Sequence, residues 1–217
     1  MTEPNEMKLA TAEPAAFGLL GFAVVTLVAG AVKLGWVGGE NNSYFIVPWA
    51  FMLGAVPQLI ASLMEFRRNN TFGATVFGGY GMFWLGLGLT YMWAFDNHLA
   101  NTDYIDHLGF AFIGFLVFSL YMTVGATILN KGLFVVLVFV DLLFVGLIMN
   151  IFFPGTWGDW DKFAGWAELC ASIGAFYCSA AIMLNTMTGY QVLPLGKPIL
   201  KPRQLCVMPD AQTPSMK

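Results

Sequence analysis

The chain has 217 residues, 58% of them apolar and only 11% charged, with a formal net charge of −3. Soluble domains carry about 25% charged residues, and one of this length leaves roughly 30% of its unfolded surface exposed even when well packed. The 13 acidic and 10 basic side chains cannot cover such a surface, so the composition excludes a water-soluble globule and makes lipid the solvent. The net negative charge argues against a nucleic-acid partner.

The first residues, Met1 to Gly18, lack a basic start followed by a short apolar run and a small-residue cleavage site, so no secretory leader is expected. Six stretches then reach the roughly 20 apolar residues needed to cross about 30 Å of hydrocarbon at 1.5 Å per residue. In chain order they run from about Phe17 to Trp36, Phe45 to Met64, Thr71 to Ala94, Leu108 to Leu129, Gly132 to Asn150 and Phe163 to Leu184. Turn and charge signals separate them, among them Gly38-Gly39-Glu40-Asn41-Asn42, Arg67-Arg68-Asn69-Asn70 and Asn130-Lys131. The expected organisation is a cytoplasmic segment 1–16, a six-helix membrane domain 17–190 and a cytoplasmic tail 191–217.

Direction follows from the tendency of Lys and Arg to stay on the cytoplasmic side. With the N-terminus inside, the inner segments hold Lys8, Arg67, Arg68, Lys131, Lys197, Lys201, Arg203 and Lys217, and the outer ones only Lys33 and Lys162. Both termini are therefore expected in the cytoplasm of a cell bounded by its plasma membrane.

Within the spans, Pro48 and Pro57 interrupt the second, and Gly73, Gly78, Gly79 and Gly81 crowd the third. Such breaks free backbone groups that only protein or a water-filled path can satisfy, so they indicate either a solute path lined by half-helices or a tight helix crossing. In the sixth span Ala167, Ala171, Ala175 and Ser179 recur every four residues, with Cys170, Gly174 and Cys178 beside them. Small residues on one face let backbones approach closely, which suits a neighbouring helix or a neighbouring subunit. Cys170, Cys178 and Cys206 suggest no disulfide framework.

Chemistry-bearing patterns are scarce. His98 and His107 both fall at the loop after the third span, where they cannot serve as intramembrane haem ligands, and there is no His-Glu-x-x-His zinc motif. The last span has no Lys for a retinal Schiff base, and no phosphate-binding Gly-Lys-Ser/Thr loop occurs. No cofactor, metal or enzymatic activity is expected. Acids at membrane depth are costly and usually functional: Asp141 in the fifth span and Glu168 in the sixth read as a proton or substrate relay, or as interhelical hydrogen-bonding groups. Glu65 is expected to pair with Arg67, Arg68 or a backbone group of the third span.

The run Asn70-Thr71-Phe72-Gly73-Ala74-Thr75-Val76-Phe77-Gly78-Gly79-Tyr80-Gly81-Met82-Phe83-Trp84 resembles the Asn-Thr-Phe-Gly-x-Thr-x-Phe-x-x-Tyr-Gly-x-Phe-Trp signature of the acetate uptake transporter family, the succinate–acetate permeases. Glu13 to Phe22 resembles that family's Asn-Pro-Ala-Pro-Leu-Gly-Leu motif, and Phe163 to Trp166 with Val192 to Gly196 resembles its C-terminal end. The resemblance runs from about Glu13 to Gly196. It implies an all-α integral membrane protein of six spans per protomer, assembled as a hexamer, that passes acetate, related monocarboxylates or succinate through a pore in each protomer.

The same resemblance implies a constriction of Phe, Tyr and Leu, carried here by Phe22 and Tyr80, with the third position falling at Val140 by ungapped counting. Loss of one methylene at Val140 is expected to admit slightly larger acids than acetate. Thr26, Gln58, Thr75 and Asn150 are expected to supply hydrogen bonds along the path, and Phe72, Phe77 and Trp84 to form its wall. Four departures stand out: Glu13 replaces the motif's Asn and Ala16 its second Pro, and the family pattern does not account for acids at Asp141 and Glu168. Glu13 is expected to repel a carboxylate at neutral pH. An anion channel and a proton-coupled symporter both fit, and an acid-sensing membrane protein without transport is the alternative from another class.

Overall fold

In a computed structural model, residues 12–37, 44–99, 104–156 and 158–200 are described. They form six helices long and apolar enough to span a membrane: α1 (Ala15–Lys33), α2 (Tyr44–Arg67), α3 (Thr71–Asp96), α4 (Ile105–Ala126), α5 (Lys131–Phe152) and α6 (Trp160–Thr188). The loops around Gly38 to Asn42, Asp103 and Trp157, and the segments before Ala12 and after Leu200, lie outside the described residues. This leaves out much of the N-terminal segment and tail, and Lys8, Lys201, Arg203, Cys206 and Lys217 with them.

Local chemistry sets the ends. Asn70, Asn130 and Asp159 each sit just before a helix and accept, through the side-chain oxygen, a hydrogen bond from the backbone N–H three residues on, at 3.1, 2.9 and 3.1 Å, which satisfies one of the orphan donors of the first turn. The Asp159 cap starts α6 earlier than its apolar run does, and Gly189 ends it in the left-handed region at φ 73°. At 29 residues, α6 is about 44 Å long, so part of it stands clear of the hydrocarbon.

The prolines do not split α2 into half-helices. Pro57 has no N–H to give to the carbonyl of Leu53, and the chain accommodates this with a π-helical stretch, Ala50–Ala55, between the short turn Val47–Trp49 and the regular helix Val56–Arg67. α3 likewise runs unbroken through its glycines. Of the two readings of those breaks, the glycines of α3 fit the tight crossing: a methyl at Gly73 would meet Glu65 Cγ at 2.9 Å, and one at Gly78 would meet Ser62 Oγ at 2.9 Å.

Each helix packs on its neighbours in sequence, and α6 returns to α1, so the six close a ring. Hydroxyls tie it together: Ser172 donates to the Ala23 carbonyl at 2.7 Å, Ser179 to Ala16 at 2.6 Å and Ser62 to Ala74 at 2.7 Å. The small-residue face of α6 is thereby spent within the chain, with Ala171 and Ala175 fully buried. Large apolar side chains such as Phe110, Trp93 and Leu63 point outwards.

The crossing of α1 on α2 at Gly21 has no room for a side chain, since a Cβ there would press on the Leu53 carbonyl and lie 2.8 Å from Pro57 Cβ. Gly21→Leu is therefore expected to destabilise the protein by about 1–3 kcal/mol, a fall of roughly 2–12 °C in melting temperature, measurable by thermal unfolding in detergent.

Candidate functional site

The ring encloses a cavity of about 170 Å³ that opens at the end of the bundle where α1, α3 and α5 begin. That is room for roughly five waters, or for a small organic acid carrying few of them. Its deepest lining residues, Phe22, Gln58, Tyr80 and Leu137, lie six to nine residues inside their helices, about 9–14 Å down.

The mouth is polar. Arg68 reaches Glu13 at 2.7 Å, so the acid at the entrance meets an incoming anion as half of an ion pair. The expected repulsion by Glu13 is thereby offset. With Arg68 engaged there, Glu65 turns to the Asn70 side-chain amide, which donates to Oε2 at 2.9 Å. Neither Arg67 nor Arg68 pairs with Glu65, and its Oε1 lacks a hydrogen-bond partner among the described residues. Below the mouth the walls turn apolar, with Leu19, Phe72, Val76 and Phe77.

A strap built from residues after α6 completes one wall. Tyr177 donates to the Pro194 carbonyl at 2.8 Å, and Asn185 bonds Val192 and Leu193 through its amide. Gly132 N–H, an orphan of the first turn of α5, donates to the Leu195 carbonyl at 2.9 Å, and Leu195 lines the cavity. The strap is then held at its far end by Ile199 and Leu200, which both donate to the Thr127 carbonyl.

Phe22 and Tyr80 meet at the floor, ring centroids 6.0 Å apart. The α5 residues exposed to the cavity are Leu133, Val136 and Leu137, and Val140 is packed one turn deeper, 1% exposed. Gln58 lines the floor while its Nε2 donates to the Gly54 carbonyl at 2.6 Å, inside the π-helical stretch. Thr26, one turn beyond Phe22, is fully buried with its hydroxyl unpartnered, and so is the indole N–H of Trp84, one turn beyond Tyr80. Phe72 and Phe77 line the cavity, and Trp84 does not reach it. Thr75 is half-buried off the cavity, and Asn150 is exposed near the far end of α5.

The two intramembrane acids part ways. Glu168 is 2% exposed and receives Lys33 Nζ on both oxygens, at 3.1 and 3.0 Å. The cation stands in the last turn of α1, where the helix dipole also favours it. Among the described residues Asp141 has no cationic partner. Ser119 donates to its Oδ1 at 2.5 Å and Thr123 to its Oδ2 at 2.8 Å, while Tyr80 donates to Ser119 at 2.9 Å. The Tyr80 hydroxyl is thus committed to a chain that ends on Asp141. Sequence reasoning passed over Ser119 and Thr123, although their spacing puts two hydroxyls on one face of an apolar helix. Among the described residues no cluster of metal ligands occurs.

The profile of the GPR1/FUN34/yaaH family matches residues 2–197 of the chain. The succinate-acetate/proton symporter SatP of Escherichia coli strain K12 is 30% identical over 191 residues, covering 86% of this chain and 96% of that one. Acetate permease A of Emericella nidulans is 26% identical over 200 residues, covering 85% and 66%. A solved structure of the bacterial acetate channel SatP superposes with a TM-score of 0.77 at 29% identity, over 86% of this chain and 99% of that one.

Breaking a buried ion pair by removing one partner costs about 3–5 kcal/mol, whereas replacing both with apolar residues is often neutral. Glu168→Leu is accordingly expected to lower stability by that amount in detergent melts. Lys33→Leu/Glu168→Leu is expected to recover most of the loss.

Proposed function

The chain belongs to the GPR1/FUN34/yaaH family, and from that membership we propose that it moves acetate and related small carboxylates, succinate among them, across a membrane through the cavity and the constriction beneath it. The observation that carries the reading is the polar mouth leading through apolar walls to the Phe22–Tyr80 floor. An apolar passage strips water from whatever enters, and a hydrated inorganic ion pays heavily for that. A carboxylate with one methyl group brings its own apolar surface and needs donors only at one end. The similarity to a succinate-acetate/proton symporter and to an acetate channel supports the same substrate class.

In this reading Phe22 and Tyr80, with Val140 one turn deeper, form the selective step. Gln58 and the unpartnered Thr26 hydroxyl flank it on the two sides. An even number of spans and the excess of Lys and Arg at one end support a reading with both termini in the cytoplasm and 17–190 as the pore domain between a short leading segment and a tail. The protomers assemble as a hexamer in the plasma membrane, each with its own path, and the work done is transport rather than catalysis.

Purified protein in liposomes is expected to take up labelled acetate. Accumulation against the gradient that an uncoupler abolishes identifies proton symport, and purely downhill flux identifies a channel. Absence of flux at both acidic and neutral pH sinks the transport reading in favour of acid sensing. In the same assay Val140→Leu is expected to lower lactate uptake relative to acetate severalfold, and an unchanged ratio removes Val140 from the selective step.

A further inference from the structure

We propose that Asp141 is the proton-accepting group that sets the donor state of Tyr80, acting through Ser119 as a reversible chain of hydroxyls. The inference rests on the transport reading above and names the site at which a proton is coupled to the carboxylate.

The direction of the chain follows from hydrogen counting. An ionised carboxylate only accepts, while Ser, Thr and Tyr hydroxyls each have one hydrogen to donate. With Asp141 ionised, Ser119 must donate to Oδ1 and Thr123 to Oδ2. Ser119 then has only its lone pairs left for Tyr80, so the single Tyr80 hydrogen points at Ser119. The gate tyrosine, on the cavity floor, has no hydrogen for an arriving carboxylate and presents only oxygen lone pairs.

Protonation reverses this. One O–H bond forms at Asp141 Oδ1 as one O–H bond of a hydronium ion on the acidic side breaks and leaves water, and no other covalent bond changes. Asp141 now donates to Ser119, Ser119 rotates to donate to Tyr80, and the Tyr80 hydrogen is free for the carboxylate at the floor. Thr123 keeps donating to Oδ2, while Ser119 turns its hydrogen from Oδ1 to Tyr80 and accepts instead, which makes Oδ1 the atom to be protonated. When the acid moves on, the proton leaves Asp141 and the chain returns to its first direction. One proton accompanies one carboxylate, so the loaded site carries no added charge.

The surroundings suit a group whose charge is decided by this chain alone. Among the described residues the ionisable groups nearby are phenols, Tyr80 from α3 and Tyr121 from α4, while Glu65 of α2, the Cys178 thiol of α6 and Glu13, paired with Arg68, line the cavity on the side of its mouth. The charged residue of α6 at membrane depth, Glu168, is occupied by Lys33. No Lys, Arg, Glu or second Asp among the described residues pairs with Asp141. Phe118 stacks edge-on against Tyr80 at 5.2 Å.

The test measures labelled-acetate uptake into proteoliposomes across a pH series, with KM expressed per acetate anion. Where Asp141 is ionised, wild-type KM is expected to rise about tenfold per pH unit. Asp141→Asn is expected to flatten that slope. Ser119→Ala, which cuts the chain and leaves the Tyr80 hydrogen untethered, is expected to hold KM low at every pH, and Ser119→Thr to restore the slope. A wild-type slope surviving in Asp141→Asn or Ser119→Ala overturns the proposal while leaving transport intact, whereas a wild-type protein without flux fails the transport reading itself. One readout needs no variant: acetate added to wild-type protein in weak buffer is expected to withdraw about one proton per acetate bound, seen with a pH dye, and no withdrawal overturns the proposal.

Discussion

Lipid offers no hydrogen bonds, so every donor and acceptor at membrane depth has to find its partner inside the protein or face a water-filled path. Much of the architecture answers that requirement. The π-helical turn ahead of Pro57 is one answer, with the Gln58 amide supplying a hydrogen bond to a carbonyl within it. The serine hydroxyls that bind carbonyls of the adjoining helix are another. They bring α6 onto α1 and α2 onto α3, and a ring of six helices closes around a space into which few polar groups project. The Lys33–Glu168 pair obeys the same rule, with two charges made tolerable by each other.

Against that background the polar atoms left over are informative. Thr26 Oγ1, Glu65 Oε1 and Trp84 Nε1 are buried without partners among the described residues, at a cost of about 1–3 kcal/mol for each such group. Glu65 lines the upper cavity, and the other two stand one turn beyond the aromatic floor. A packed structural core would have no use for them. A path that lends hydrogen bonds briefly to a passing solute does, because a partner made permanent would hold the solute in place.

The sequence was most readable where the physics is one-dimensional. Hydrophobic length located all six helices, and the aromatic-glycine motif of α3 led to Tyr80, because both are properties of a single segment. Ends were misplaced where a cap or an overhang outruns the apolar run, as at Asp159 and Thr188. Pro57 left two readings open for a related reason, since a wider helical turn can absorb a missing N–H and leaves no trace in composition. Pairings between helices were the least legible. Nothing along the chain says that Lys33 meets a residue 135 positions later, or that Arg68 turns from its near neighbour Glu65 to Glu13. Asp141 was noticed as an acid in the wrong place, but its meaning lay with Ser119 and Thr123 on another helix, and Asn150 was over-read because polarity alone does not give a side chain its direction.

The strap of residues 190–200 brings a different kind of dependence. It lies outside the spans, yet it satisfies a backbone donor at the start of α5 and contributes Leu195 to the cavity wall. The bore of the entrance is consequently fixed by a segment that has no part in crossing the membrane and is free of the packing rules that govern the helices. Two chains with identical spans and different straps would share a gate and differ in what can reach it, so access and selectivity can diverge independently within one architecture.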